Sequence, residues 1–398
     1  MQTQVAANIF WVGCVDWGVR DFHGYKTERG STYNAYLILA QKNALIDTVK
    51  ASRAADLLAN VRAHLPLEQI DYIICNHAEP DHAGALPETV KACPNAAVVC
   101  NAKCQDALAR HFDTTAWKWH IVKDTETLSL GNKTLQCFDT PMVHWPESMV
   151  TYLQEDAVLF SMDAFGQHYA SSARFDDEAD LSEVMQEAKT YYANIVLPYG
   201  RPVATALGRL GALKLAIVAP SHGVIWRSHF NAILAAYQSW ATCTPAKKIV
   251  ILFCSMWDST RRMARAIEVG ATHPGIEVKV IDVATTSDTV IVTDIMDCAA
   301  FAAGSPTLNS GIMPRMAATL TYLRGLKPKG KSCLAFGSYG WAPKNIGELT
   351  HYLAEMEATP VCDPISCRFA PGPDTLEACR AAGGALAAVA RSTPSPTA

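Results

Sequence analysis

No uninterrupted apolar stretch of this chain approaches the ~20 residues that a bilayer-spanning helix requires, so no membrane segment is expected. There is no long Lys/Arg run, and with a formal net charge of −4 nothing points to nucleic acid. The first residues, MQTQVAANIFWVG, lack a basic segment followed by an apolar core, so no signal peptide is expected. No C-x-x-C occurs among the 13 cysteines, whose nearest pairs are Cys100/Cys104 and Cys362/Cys367. That excludes a rubredoxin-like or zinc-ribbon knot within this sequence. Cys75, Cys100, Cys254 and Cys333 sit in strand-like apolar runs, where a reduced thiol acts as a small hydrophobe. The expectation is a soluble protein of a reducing, cytoplasmic compartment, with no catalytic cysteine.

What the chain does have is alternation. At 398 residues, 49% of them hydrophobic, it is long enough for two domains with large cores. Over 1–245, strand-like runs (33–39, 71–75, 96–100, 134–138, 157–161, 216–220) alternate with helical stretches (50–63, 84–93, 103–112, 182–194, 202–213). A polar turn over 242–248 then introduces KKIVILFCS (247–255), a continuous apolar strand running into the helix STRRMARAIEVG. EVKVIDV, CAAFAAG and SCLAFGSYG follow, with helical stretches between or after them. Near-continuous apolar strands alternating with helices predict a parallel, doubly wound α/β sheet over 246–391. Residues 392–398 are expected to be a disordered tail.

Four pieces of sequence end in metal-ligand residues just beyond what read as strands. They are His77-Ala-Glu79-Pro-Asp81-His82, His144 in TPMVHWPES, Asp163 in FSMDAFGQH and His222 in APSHGV. In an extended loop His77, Glu79 and Asp81, spaced by two, project to one side. A lone His or Asp after a strand is more often structural than not, and the argument for a metal is the convergence of four such ends. Imidazoles with at least three carboxylates and no thiolate suffice for two cations and favour a harder metal than a Cys-rich zinc site does. The residues alone leave a zinc pair, activating a hydroxide for ester hydrolysis, as an open alternative.

The second half carries three loops at the expected switch point of its sheet, where such folds bind FMN outside the carboxyl ends of the strands. Ser255-Met256-Trp257-Asp258-Ser259-Thr260 joins a strand to a helix, so its hydroxyls and N–H groups can cradle a phosphate. Arg261 and Arg262 in the first helical turn are either phosphate partners or solvated surface arginines. Gly304-Ser305-Pro306-Thr307-Leu308-Asn309 and Gly337-Ser338-Tyr339-Gly340-Trp341 offer small residues for close backbone approach and two aromatics to cover a flavin ring.

The first constellation resembles the metallo-β-lactamase fold family, whose metal loop usually reads H-x-H-x-D-H. Glu79 in the second position, with S-M-W-x-S-T, G-S-P-T-x-N and G-S-Y-G-W, is similar to the flavodiiron proteins, over nearly the full chain from DFHGY (21–25) to the last helix. The resemblance implies a metallo-β-lactamase-like αβ/βα sandwich over 1–245 and a flavodoxin-like FMN domain over 246–391. It implies one iron on His77, Glu79 and His144, a second on Asp81, His82 and His222, and Asp163 bridging both. His82 is the ligand on which family members differ. His23 in DFHGY and Tyr192 are expected near the irons as donors of protons or hydrogen bonds. The implied activity is reduction of O2 to water or NO to N2O. Electrons would come through FMN from a separate donor such as rubredoxin, in a head-to-tail homodimer or homotetramer. Two departures stand out: Asp258 places a negative charge in the phosphate loop, and Ala342-Pro343-Lys344 replaces a glycine-rich continuation. The competing readings are a zinc hydrolase with an appended flavodoxin module, and a flavodoxin-type carrier whose first domain is purely structural.

Overall fold

The computed structural model describes residues 3–393, which divide into two compact units. The first comprises Met1–Tyr191 and Arg201–Gln238, the second Tyr192–Gly200 and Ser239–Ala398. A linear division at 245/246 has no place for Tyr192–Gly200: its π-helical turn Tyr192–Val196 packs on helix Asp288–Met296 of the second unit. Among the described residues no helix is long and apolar enough to cross a membrane.

The first unit is built on a seven-stranded and a five-stranded sheet. In the larger sheet the edge formed by Thr3–Ala6, Ile9–Trp11 and Tyr36–Ile38 is antiparallel. Asn43–Ile46, Ile70–Ile74, Ala97–Cys100 and Trp119–Ile121 then run parallel. Alternate residues Tyr36, Ile38, Ile74 and Val99 meet Leu135, Cys137, Leu153, Val158 and Phe160 of the second sheet in one core. The opposite-facing Leu37, Ile73 and Val98 are just as buried. Both faces of the larger sheet are therefore covered, as in an αβ/βα sandwich, and the strands read as unbroken apolar runs.

In the smaller sheet Thr134–Asp139, Met149–Leu153 and Val158–Met162 are antiparallel neighbours, and Ile217–Pro220 lies parallel to the last. Thr134–Asp139, Val158–Met162 and Ile217–Pro220 therefore point the same way, and their following residues emerge at one edge. The run expected over 33–39 is two strands, Ser31–Tyr33 and Tyr36–Ile38, broken around Asn34. The buried Asn34 amide accepts from Trp11 Nε1 (2.8 Å) and donates to Pro220 O (2.9 Å), tying both sheets together.

The second unit holds one parallel sheet ordered Glu277–Asp282, Lys248–Phe253, Ala300–Gly304, Ser332–Tyr339, with Thr359–Pro360 and Ile365–Arg368 beside the last strand. That is the doubly wound order whose switch point lies between the first and third strands in the chain. Helix Ser259–Ala271 lies against the final helix, Pro373–Ser392. Ser392, expected in the tail, closes that helix, and 394–398 lie outside the described residues.

Candidate metal centre and flavin cleft

The metal centre starts where strand Ile70–Ile74 ends. Asp47 accepts from the backbone N–H of Asn76 (2.8 Å) and from its Nδ2 (2.9 Å), fixing the chain as it leaves the sheet. Glu79 is still extended, at φ −64 and ψ 138, but Pro80 opens a single-turn helix, Pro80–Ala83, that contains Asp81 and His82. The alternation expected through Asp81 therefore stops at Glu79. The helical turn sends Asp81 and His82 to a second position instead. A Cβ on Gly84 would lie 2.7 Å from Ala51 N, so only glycine lets that turn sit so close.

Two groups of ligand atoms result: His77, Glu79, His144 and Asp163, and Asp81, His82 and His222. Glu79 Oε2 is 3.1 Å from His77 Nε2 and 3.1 Å from His144 Nε2. Asp81 Oδ2 is 3.0 Å from His222 Nε2 and 3.4 Å from His82 Nε2. Asp163 divides its two oxygens between the groups. Oδ2 faces His144 (3.3 Å) and His77 (3.6 Å), and Oδ1 faces His82 (2.9 Å) and His222 (3.5 Å).

All seven side chains are buried. Burial resists charge on His144, yet the carboxylates of Asp163 and Glu79 beside it push it up to about 10. Against the same burial, Asp81 and Asp163 hold His82 well above the usual imidazole range. The imidazoles in turn hold Glu79 and Asp163 below the usual carboxylate range. The centre of the cluster thus demands positive charge. Asp81 Oδ1, His82 Nε2 and both Asp163 carboxylate oxygens are buried without a hydrogen-bond partner. Such orphans are rare in folded proteins, and a pair of cations satisfies them. A carboxylate-rich N/O donor set without sulfur suits iron.

Outer contacts aim the ligands. His77 Nδ1 lies 2.8 Å from Glu147 Oε1, which also accepts from Ala78 N–H (3.2 Å). His222 Nδ1 donates to Thr32 O (2.6 Å). These partners leave the Nε2 atoms for a metal. Glu147 was missed in the sequence, although it stands three residues after His144 in the same short segment.

His23 takes a left-handed conformation (φ 54), stacks on Phe22 and brings Nδ1 to 3.2 Å from Glu79 Oε1, with its side chain 42% exposed. It sits at the rim of the centre. Tyr192 belongs to the second unit, where its ring packs on Trp240, with centroids 5.2 Å apart. Tyr191 and Tyr33 face the ligands, each with its ring 6.0 Å from that of His222. On helix Leu181–Tyr191 the buried positions are Val184, Ala188 and Tyr191, which place Tyr191 on the inward face, and Tyr192 in the following turn is buried as well. Burial, reinforced by the charge of Asp163, keeps the Tyr191 phenol far above its usual range and hence protonated.

In the second unit a cleft of about 740 Å³ lies beyond the strand ends. It is lined by Ser255, Met256, Trp257 and Ser259, by Pro306, Thr307, Leu308 and Asn309, and by Ser338, Tyr339, Gly340 and Trp341. Three expected residues do not line it. Thr260 and Ser305 are fully buried; Thr260 Oγ1 lies 3.2 Å from Ser338 Oγ, and Ser305 Oγ accepts from Met313 N–H (2.9 Å). Both brace the loops around the cleft. Asp258 is ion-paired to Arg261 (2.8 Å), which also reaches Asp282 (3.0 Å), so that arginine and the loop carboxylate neutralise each other. Arg262 donates to Pro371 O (3.2 Å).

The third loop is not wholly a loop, since strand Ser332–Tyr339 runs through it, paired with Ile365–Arg368. That strand also delivers Phe369 to the cleft, and Lys344 joins the lining. Ser255 Oγ is buried and without a hydrogen-bond partner just before helix Ser259–Ala271. An orphan hydroxyl at a helix N-terminus fits a phosphate oxygen. A Cβ on Gly337 would lie 2.0 Å from Ser305 O, so the loops can close together only with glycine there.

A family profile described as ODP family beta lactamase matches residues 32–223, and one described as flavodoxin matches 251–383. The chain is 40% identical to the nitric oxide reductase of Moorella thermoacetica over 96% of its length and 98% of that protein's. The solved flavodiiron protein of Giardia intestinalis superposes with a TM-score of 0.96 at 37% identity, covering 99% of this chain and 97% of that one. Rubredoxin oxygen:oxidoreductase from Desulfovibrio gigas gives a TM-score of 0.96 at 36% identity, over 99% of both chains.

Proposed function

This chain belongs to the flavodiiron protein family, an FMN- and iron-dependent group of oxidoreductases, and from that premise we propose that it reduces O2 to water, NO to N2O, or both. The observation that carries the reading is the division of one buried carboxylate, Asp163, between two ligand trios. The proposed first site is His77, Glu79 and His144, and the second is Asp81, His82 and His222. When bound, two irons and FMN supply the electrons and the Lewis-acidic positions for reducing a diatomic gas. A zinc hydrolase is not favoured, because it has no use for a flavin cleft with an orphan hydroxyl at its phosphate end.

The protein's own groups orient and protonate. Glu147 and Thr32 hold the tautomers of His77 and His222 so that each presents Nε2 inward. The Tyr191 hydroxyl carries a proton toward Asp163, and His23 offers a solvent-facing one beside Glu79.

Trp257 and Trp341 at the cleft are each 89% exposed, and Phe369 is 61% exposed. Such an apolar rim favours coverage by another protein. The proposed cover is a second copy in a head-to-tail homodimer or homotetramer, with rubredoxin or a similar small iron–sulfur protein as the separate donor. Thirteen cysteines without a disulfide among them support a cytoplasmic setting. The test is anaerobic reduction of the purified protein, then stopped-flow mixing with O2 and, separately, NO. Rapid flavin reoxidation by at least one gas, in protein with two irons and one FMN per chain, is expected. Zinc in the centre with slow, gas-independent reoxidation would overturn the reading. Size exclusion showing a strictly monomeric, fully active enzyme would overturn the homodimer.

A further inference from the structure

Behind two of the ligand segments the first unit contains a second cavity, of about 20 Å³. Val143 and Phe165 line it from the segments that carry His144 and Asp163, and Val203 and Leu207 close it from helix Gly200–Leu210. By the ~10–15 Å³ that one water needs, there is room for a single small molecule.

The hydroxyls around the cavity determine which molecule. Ser161 Oγ already donates to Ala164 O (2.8 Å), and Tyr237 OH accepts from Phe165 N–H (2.8 Å). Thr140 lines the space, and its Oγ1 is buried and has no hydrogen-bond partner. A buried water holds its place with about two to four polar partners, whereas here two of the three hydroxyls are engaged and the rest of the wall is apolar side chains. A neutral diatomic gas has the complementary chemistry, with an apolar body and a weakly accepting end. We propose that this cavity is a docking site for O2 or NO behind His144 and Asp163, concentrating the gas next to the metal centre. The identity of the gas rests on the flavodiiron reading; the existence of the site does not.

Crystals of the full-length holoenzyme pressurised with xenon test the site directly. One xenon peak in contact with Val143, Phe165 and Val203 is expected, and it disappears in Val203→Phe. That variant raises KM for the gas about fivefold while kcat and iron content hold. Ala206→Phe, which fills the cavity from a less buried position, serves if Val203→Phe does not fold. Thr140→Val keeps the xenon peak and raises KM less. Absence of xenon from the wild-type cavity, or a filled cavity with unchanged KM, overturns the proposal. A wild-type protein that binds xenon here but reduces neither gas would instead break the functional reading and leave the docking site standing.

Discussion

The two cofactor sites are built from different parts of the chain. The metal centre is made of side chains: seven buried His, Asp and Glu residues, several with unsatisfied atoms facing one another. The flavin cleft is made mainly of loops whose small residues let the backbone approach, with exposed aromatics at its edge and one orphan hydroxyl at its phosphate end. A centre of paired charges depends on each residue's chemistry. A cleft of backbone groups depends on where the chain runs, and its individual side chains matter less.

Substitutions sharpen that contrast. Asp163→Ala removes the oxygen pair that serves both trios; iron should fall from two per chain toward none and gas turnover to background, while FMN content holds. Iron analysis beside the flavin absorbance reads both. Tyr191→Phe should lower kcat about 10²-fold with iron and flavin intact, whereas Tyr192→Phe leaves kcat unchanged. Equal effects from the two would contradict the assignment of Tyr191 to the centre. Glu147→Gln, which weakens the hold on His77, should reduce iron affinity about 10–100-fold in a chelator competition.

The flavin side should respond more weakly. Ser255→Ala is expected to raise the FMN dissociation constant about tenfold, the worth of one hydrogen bond to a charged phosphate. Asp258→Ala should leave it within about twofold, because an exposed ion pair with Arg261 contributes little. A larger loss from Asp258→Ala than from Ser255→Ala would break the comparison.

The same contrast decides what was legible in the sequence. All seven metal-ligand candidates were visible before the fold was known, because few residue types bind hard cations and each follows an apolar strand. The structure brings them together, although Pro80 curls the segment that alternation treated as extended. The cleft was legible as three loops but not residue by residue. Thr260 and Ser305 brace the loops through their hydroxyls, Asp258 is spent on Arg261, and Phe369 arrives from an edge strand with no signature of its own.

Outer contacts were the least visible. Glu147 and Thr32 act by position around a ligand, and the adjacent Tyr191 and Tyr192 are both buried, so a pattern of apolar positions does not tell them apart. The split around Asn34 was hidden for a related reason, since an apolar run does not show where a buried amide ties two sheets together.

Asp163 is proposed to join two metal positions into one centre. Low-temperature EPR of the oxidised, iron-loaded holoenzyme tests it most directly. Two ferric ions sharing the Asp163 carboxylate should couple antiferromagnetically and give no resting signal; two independent high-spin ferric signals would contradict the claim.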